Sequence, residues 1–183
     1  MKKLLLMAAV AVFGFTNVNA QEDKESSNAL TEGSWLVEAN TGFGGGATSA
    51  AHRSNTSFGL TAVDGVTIWS IGGEAGYFIK DDLALKVGLG YNDFDGASTF
   101  TYKLGAKYYV ASQFPVQIDV TGASGDDVFG EESPLWLGIQ GGYAWFVADN
   151  ISIEPGLRYN LSLNEDFTDE GVLELNIGFA LHF

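Results

Sequence analysis

The last eleven residues of the chain, LELNIGFALHF (173–183), alternate strictly between apolar side chains and polar or very small ones. The apolar parity consists of Leu173, Leu175, Ile177, Phe179, Leu181 and Phe183. Successive side chains of a β-strand point to opposite faces, so this segment predicts a strand with one wholly apolar face. Such a face has to be covered by another sheet, by a ligand or by lipid.

The same alternation recurs in seven earlier segments and predicts an all-β fold. The predicted strands are 34–43, 67–79, 83–91, 100–110, 115–122, 135–147 and 151–161, followed by the C-terminal one. Short connections (80–82, 112–114 and 148–150) alternate with long ones (44–66, 92–99, 123–134 and 162–171). This alternation predicts an eight-stranded antiparallel up-and-down barrel. Pro155 falls inside the seventh strand, where we expect a local bulge.

The N-terminal residues differ from the rest of the chain. A basic start with Lys2 and Lys3, an apolar run of twelve residues and the small-residue exit NVNA predict a secretory signal peptide over 1–20. The polar stretch QEDKESSNALTE (21–32) has no periodicity and predicts a flexible periplasmic tail. The barrel domain is then expected to span 33–183.

Charged residues on the polar parity indicate which face of the barrel points outward. They are five acids and four bases set among glycines: Glu38, Glu74, Lys86, Lys103, Lys107, Asp119, Glu154, Arg158 and Glu174. A soluble, lipocalin-like barrel would place its apolar face inside and these charges in water, where no such balance is needed. A narrow barrel interior needs small residues for space and paired charges. The pattern therefore predicts a charge network in the lumen and an apolar outer face.

Aromatic residues on the apolar parity form two bands, which favours a transmembrane barrel. Trp35, Tyr77, Tyr108 and Trp145 lie at the short-turn end, and Phe43, Trp69, Tyr91, Tyr102 and Tyr159 lie toward the long-loop end. Rings that are apolar with a polar edge are typical of both membrane interfaces. An eleven-residue strand tilted by about 40° spans roughly 27 Å, close to the apolar height of such barrels.

Two segments resemble bacterial outer-membrane barrels. IGFALHF (177–183) is similar to their C-terminal signature, and EAGYFIKDDLALKVGLGYN (74–92) resembles a strand–turn–strand unit of small OmpX- and OmpA-type proteins. The resemblance covers 33–183. It implies an outer-membrane location, a periplasmic N-terminus and contact with outer-membrane lipids and lipopolysaccharide. It also implies delivery by periplasmic chaperones to the barrel-assembly machinery, which would read an assembly signal formed by Ile177, Phe179, Leu181 and Phe183.

Composition excludes several function classes. The formal charge of −14 argues against nucleic acid as a partner, since binding it requires a basic surface. The chain has no cysteine, and DFDG (93–96) lacks the remaining ligand spacing of a calcium loop, so no metal or cofactor is expected. An enzyme is not expected either. His52, Ser54, Ser57 and Asp64 in the first long loop contain the residue types of a lipid A-modifying site but match no known spacing.

The expected function is structural or interactive. Acidic loops would face the outside and present a surface for adhesion or for docking of a partner, or for cation bridging to lipopolysaccharide. The interior of an eight-stranded barrel is just wide enough for its own side chains, which favours a filled lumen. The alternative is a narrow pore for ions or small solutes, in which Glu74, Lys86, Lys103, Lys107 and Arg158 would set selectivity.

Overall fold

A computed structural model of the protein describes residues 28–44, 59–63, 66–130 and 132–183. Its strands are β1 (Trp35–Gly44), β2 (Gly59–Val63), β3 (Val66–Lys80), β4 (Leu83–Phe94), β5 (Ala97–Val110), β6 (Phe114–Ser124), β7 (Leu135–Gly142), β8 (Trp145–Ala148), β9 (Ile151–Ser162) and β10 (Val172–His182). One turn of 3-10 helix (Asn28–Leu30) precedes β1, and a helical turn, α1 (Asp126–Phe129), follows β6. The predicted signal peptide lies outside the described residues.

The strands form one closed antiparallel sheet. Neighbours follow the order β1-β10-β9-β7-β6-β5-β4-β3, and β3 returns to β1 through the pairing of Trp35–Glu38 with Glu74–Tyr77. Both β7 and β8 pair with β9 and together form one strand of the barrel. β2 extends β3 as a hairpin at the long-loop end. The predicted eight-stranded antiparallel barrel is confirmed.

The break between β7 and β8 is a consequence of Pro155. The register is the same on both sides of it, since Gly142 pairs with Gly156 and Trp145 with Ile153. The Tyr143 N–H donates to the Pro155 carbonyl at 3.0 Å, but Pro155 has no N–H with which to return the bond. The expected bulge at Pro155 was therefore wrong: one hydrogen bond of the ladder is missing there, and the register shift of this pairing lies farther along, between Phe146 and Ala148.

Two of the long connections predicted from sequence are shorter in the structure. β4 and β5 continue to a two-residue turn at Asp95 and Gly96, both with positive φ (57° and 97°). Asp-Gly in this conformation is typical of a tight hairpin turn that matches the strand twist. The loop expected over 92–99 is thus mostly strand. The connection expected over 44–66 contains β2, which continues the β3 hairpin.

The apolar parity faces outward and the polar parity faces the lumen. Large apolar side chains are exposed around the whole barrel, with Leu104 66% and Leu173 63% exposed. The Trp35 ring packs at a tilt against Tyr77 (ring centroids 5.0 Å apart) at the short-turn end, and the Trp69 ring packs at a tilt against Tyr91 (5.2 Å) at the other. The Phe43 side chain lies outside the described part of the structure. Among the described residues, no helix is long and apolar enough to cross a membrane.

Close tyrosine–glycine contacts stabilise the outer face. Tyr102 on β5 is paired with Gly122 on β6, and a Cβ added at Gly122 would overlap the tyrosine ring. Tyr159 lies against Gly171 in the same way. Because each glycine has no side chain, the tyrosine ring can lie against its backbone. This contact buries part of the ring surface.

We expect Gly122→Ala to destabilise the barrel by about 1–3 kcal/mol, because the methyl group must displace the Tyr102 ring. Gly141→Ala is the matched control, since a Cβ at Gly141 on the same outer face meets no atom within 4 Å. Urea unfolding of the protein in lipid vesicles measures both variants. Equal stabilities would contradict the importance of the ring contact.

Candidate functional site in the barrel lumen

The nine charged residues singled out in the sequence all lie inside the barrel, and each is at most 4% exposed. Five carboxylates and four cations share this space. In so narrow an interior, an unpaired charge would cost several kcal/mol or more, so the pairing decides whether the arrangement is tolerable. The contacts form three connected groups along the barrel axis.

The group nearest the short turns is built around Lys107. Its ammonium donates to Glu38 Oε2 at 2.7 Å and forms an ion pair with Glu154. The other Glu154 oxygen, Oε1, accepts hydrogen bonds from the Tyr109 hydroxyl (2.9 Å) and Ser152 Oγ (2.8 Å). Glu154, on β9, is thus bonded to a residue of its own strand and to two residues of β5, and through Lys107 it is connected to Glu38 on β1.

The central group connects β1, β3, β4 and β5. Lys86 donates to Glu38 Oε2 at 2.8 Å and pairs with Glu74, which also pairs with Lys103. Lys86 also donates to Gln117 Oε1 at 2.9 Å. Each of these two glutamates therefore lies between two ammonium groups, and each charge in the centre has an opposite partner.

The group nearest the long loops is an aspartate–arginine pair. Arg158 donates through both terminal nitrogens to the Asp119 carboxylate, at 2.7 and 2.6 Å, which is the bidentate geometry of strong ion pairs. Arg158 Nε donates to Asn160, which in turn donates to Glu174 at 2.8 Å. A Cβ at Gly138 would overlap the guanidinium group, and one at Gly105 would overlap Asp119. These glycines provide the space for the pair.

Gln117 joins the central group to the aspartate–arginine pair. It accepts from Lys86 and donates through Nε2 to Asp119 Oδ2 at 2.6 Å. The network also contains four residues that were not predicted from the sequence: Gln117, Tyr109, Ser152 and Asn160. Their parity along the strands places these side chains inside the barrel. However, neutral polar residues are common at inward positions, so parity alone does not indicate that they belong to a hydrogen-bonded network.

Apolar residues close the lumen at the short-turn end. Leu30 from the N-terminal segment packs in a buried cluster consisting of Leu30, Leu36, Phe78, Ala84, Tyr109, Ala144 and Ala180, with Phe146 beside it. These side chains lie directly below the Lys107 group. The described part of the predicted tail, 28–32, thus contributes to the barrel floor.

Aromatic residues cover the lumen at the long-loop end. Trp136, at an inward position near the start of β7, is fully buried, and its ring lies 6.3 Å from that of Phe167. Phe129 of α1 contacts Phe167 at 5.8 Å. Leu36, Phe78, Tyr109 and Trp136 were not among the predicted lumen residues. Each is a large aromatic or apolar side chain at a position near a strand end where the alternation predicts a polar or small residue. This departure from the alternation could have identified them as residues that close the lumen.

The buried serine–histidine contact does not form a catalytic triad. Ser152 Oγ lies 3.1 Å from His182 Nε2, but it is Ser152, and not the histidine, that contacts the Glu154 carboxylate. In a triad the carboxylate orients the histidine, which then activates the nucleophile. All three side chains are buried. His52, Ser54, Ser57 and Asp64 lie outside the described residues.

The residues of the predicted assembly signal lie on the outer face of β10 and, for Phe183, directly after its end. Phe179, Leu181 and Phe183 are exposed and Ile177 is partly exposed. Phe183 exchanges backbone hydrogen bonds with Trp35, at 2.6 and 2.9 Å, so the last residue helps to close the barrel against β1. Phe183 therefore exposes its aromatic side chain on the outer face while its backbone pairs with β1.

Acidic side chains surround the long-loop end of the barrel. Among the described residues these are Asp93, Asp95, Asp127, Glu132, Glu165, Asp166, Asp169 and Glu170. No basic side chain belongs to these loops in the part of the chain that the structure describes. Within the described residues there is also no group of three or more His, Asp or Glu side chains arranged to hold a metal ion.

No protein-family profile matches the sequence, and no curated protein is significantly similar to it. Solved structures share the fold. The N-terminal β-barrel domain of Pseudomonas aeruginosa OprF has a TM-score of 0.51 at 17% identity, over 83% of this chain and 98% of that one. At this identity the likeness establishes the barrel fold alone.

Two further structures are similar at lower TM-scores. Neisserial surface protein A (NspA) gives 0.48 at 19% identity, over 83% of this chain and 100% of that one. The Yersinia pestis outer membrane protein Ail gives 0.41 at 12% identity, over 82% of this chain and 100% of that one.

We expect Arg158→Met to lower the free energy of unfolding by about 3 kcal/mol, because it leaves Asp119 buried without its bidentate partner. The double variant Arg158→Met with Asp119→Leu should regain most of the loss, since an apolar pair needs no counter-charge. Lys80→Met, at an exposed position at the end of β3, is the control. Urea unfolding in vesicles, followed by tryptophan fluorescence, gives the three values. A double variant as unstable as the single one would contradict the pairing argument.

Proposed function

We propose that the protein is a small outer-membrane β-barrel with a sealed lumen, which acts as a structural element of that membrane and presents acidic loops to partners outside the cell. The observation that carries the proposal is the connected network of ion pairs and hydrogen bonds that fills the barrel between two apolar ends. The alternative, a narrow pore, requires a water path through the same space.

The outer surface supports the membrane location. Hydrocarbon offers no hydrogen bonds, so a spanning structure must satisfy its backbone internally, and a closed antiparallel barrel does so. The exposed apolar band and the aromatic pairs Trp35–Tyr77 and Trp69–Tyr91 at its two ends suit the bilayer core and its interfaces. The exposed side chains of Phe179, Leu181 and Phe183 suit recognition by the barrel-assembly machinery.

The lumen supports a structural function over conduction. Lys86, Lys103 and Lys107, which would set selectivity in a pore, are each paired with glutamates, and ions crossing the barrel would have to break those pairs. The Leu30 cluster and the Trp136–Phe167 contact then close the two ends. The network is best understood as a rigid filling of the barrel.

The loops are the remaining place for interaction. In the proposed orientation they face the cell exterior, and their acidic side chains produce a negative field around the rim. Such a field favours basic partners and bridging by divalent cations to lipopolysaccharide, and it weakens with salt. Adhesion or docking through these loops therefore forms the interactive part of the proposal.

We expect the refolded protein to remain silent in a planar bilayer, both unsubstituted and as Lys103→Glu. We expect the ion pairs and the apolar ends to exclude a continuous water path, and one reversed charge would disturb the network without opening either end. Single-channel recording measures this after gel migration has shown that both proteins are folded. Discrete openings whose ion preference changes with Lys103→Glu would support the pore instead.

We expect Phe183→Ala to reduce the amount of assembled protein in the outer membrane several-fold, because the terminal aromatic side chain would be read during assembly. Leu173→Ala is the matched control: it removes an exposed apolar side chain from the other end of the same strand. Fractionation of cells, with heat-dependent gel migration to identify folded barrel, measures both. Equal assembly of the two variants would count against the signal, and recovery of the unsubstituted protein in the soluble periplasm would overturn the membrane location.

A further inference from the structure

The segment that closes the short-turn end of the lumen is not part of the barrel wall. Asn28–Leu30 forms one turn of 3-10 helix, and Leu30 (6% exposed) inserts among side chains that project from β1, β3, β4, β5 and β10. Ala29 is buried as well. The floor of the lumen is therefore completed by a piece of chain that precedes the first strand.

This segment is attached by a few isolated hydrogen bonds. The Asp82 N–H donates to the Leu30 carbonyl at 2.8 Å, the Glu32 N–H to Asp81 Oδ1 at 2.9 Å, and the Gly33 N–H to the Phe78 carbonyl at 2.9 Å. All three connect it to the end of β3 and its turn, and a further hydrogen bond connects the Ala29 backbone to the His182 side chain on β10. By contrast, eight strands are each held by a ladder on both sides: β1, β3, β4, β5, β6, β7, β9 and β10. Segments with few bonds and a small buried contact open at a lower free energy than the global fold.

A glycine connects the segment to the barrel. Gly33 has φ +92°, a left-handed conformation that glycine adopts without steric cost, and a Cβ there would meet no other atom within 4 Å. The chain reverses here, between the buried Leu30 and the start of β1 at Trp35. Rotation at Gly33 can thus move residues 28–32 away from the floor without disturbing the β1–β10 or β1–β3 ladders.

Polar groups of the lumen lie directly behind this segment. The His182 ring contacts those of Phe78, Tyr109 and Phe146, with centroids 5.4–6.3 Å apart, and hydrogen-bonds Ser152. The backbone of Ala29 lies beside the same ring. Through Ser152 and Glu154 the contacts continue to Lys107, so the apolar floor separates the charge network from water on this side.

We propose that residues 28–32 are a displaceable plug, hinged at Gly33, whose release lets water from the periplasmic side reach the lower lumen while the barrel wall and the outer aromatic cover stay in place. The inference rests on the proposed function, since it gives the sealed lumen a regulated end. The plug consists of the protein's own residues 28–32. The lumen opens at this end when the Leu30 side chain leaves the floor cluster.

Cysteine reactivity tests this directly, because the chain contains no cysteine of its own. Ala84→Cys places a reporter in the floor cluster, and Ala123→Cys places one at a fully buried inward position near the other end. Each reporter is combined with the unsubstituted plug, with Leu30→Asp and with Glu32→Ala. Glu32 is the matched control because its side chain is exposed in the same segment. The proteins are refolded in phospholipid nanodiscs, where both ends of the barrel meet the solution, and treated with a small charged thiosulfonate reagent.

If residues 28–32 are a plug, Leu30→Asp should accelerate labelling of the Ala84→Cys reporter at least about tenfold. The charged aspartate side chain favours water over the apolar floor cluster, so the segment undocks more often. Labelling of the Ala123→Cys reporter, and the effect of Glu32→Ala on either reporter, should stay unchanged. Equal labelling rates of the Ala84→Cys reporter with and without Leu30→Asp would overturn the plug. Faster labelling of both reporters would also overturn it, since the whole barrel would then have loosened.

Folding controls keep the result interpretable. Leu30→Ala is the milder variant if Leu30→Asp does not refold, and it should give a smaller acceleration in the same direction. Heat-dependent gel migration identifies folded barrel in each sample. If the unsubstituted protein does not insert into nanodiscs, the membrane proposal fails irrespective of the plug. Inserted protein that stays silent in bilayers but labels faster with Leu30 variants supports both proposals.

Discussion

The arrangement of the lumen depends on the need to pair every buried charge. Nine ionisable side chains share the interior of an eight-stranded barrel, and Glu38 and Glu74 each lie between two lysines while Asp119 takes the bidentate bonds of Arg158. Removing one member leaves an uncompensated charge, whereas the complete set, with Asn160 between Arg158 and Glu174, connects β1, β3, β4, β5, β6, β9 and β10. Glycines at 105 and 138 follow from this, because the aspartate–arginine pair occupies the volume that larger residues would take.

The ends of the barrel follow from the same constraint. Ion pairs remain strong only where water is limited, and the Leu30 cluster and Trp136 provide apolar cover below and above the network. The two covers differ in construction. Trp136 projects from a barrel strand, whereas Leu30 belongs to a segment held by hydrogen bonds to the β3–β4 turn. That difference makes the short-turn end the one from which the lumen can be opened.

The strands and the orientation of their faces could be predicted because both depend on local alternation. A period of two assigns each side chain to a face regardless of its partners, so the lumen positions of Glu38 and Arg158 follow from parity once the barrel is recognised. Connections were predicted less well. The loop expected over 92–99 became strand because Asp95 and Gly96 adopt positive φ and allow a two-residue turn. Pro155 removed one ladder bond without shifting the register, since the neighbouring strand could keep its other bonds.

The sequence by itself determined the strand number, the apolar outer face and which charges lie inside, because these depend on the alternation of side chains along each strand. Only the tertiary structure decided which charges pair, since Lys107 and Glu38 are 69 residues apart and meet through barrel closure. The tertiary structure also decided that residues 28–32 close the short-turn end of the lumen. Their polar composition has no period, and the burial of Leu30 arises from a socket that five different strands form together.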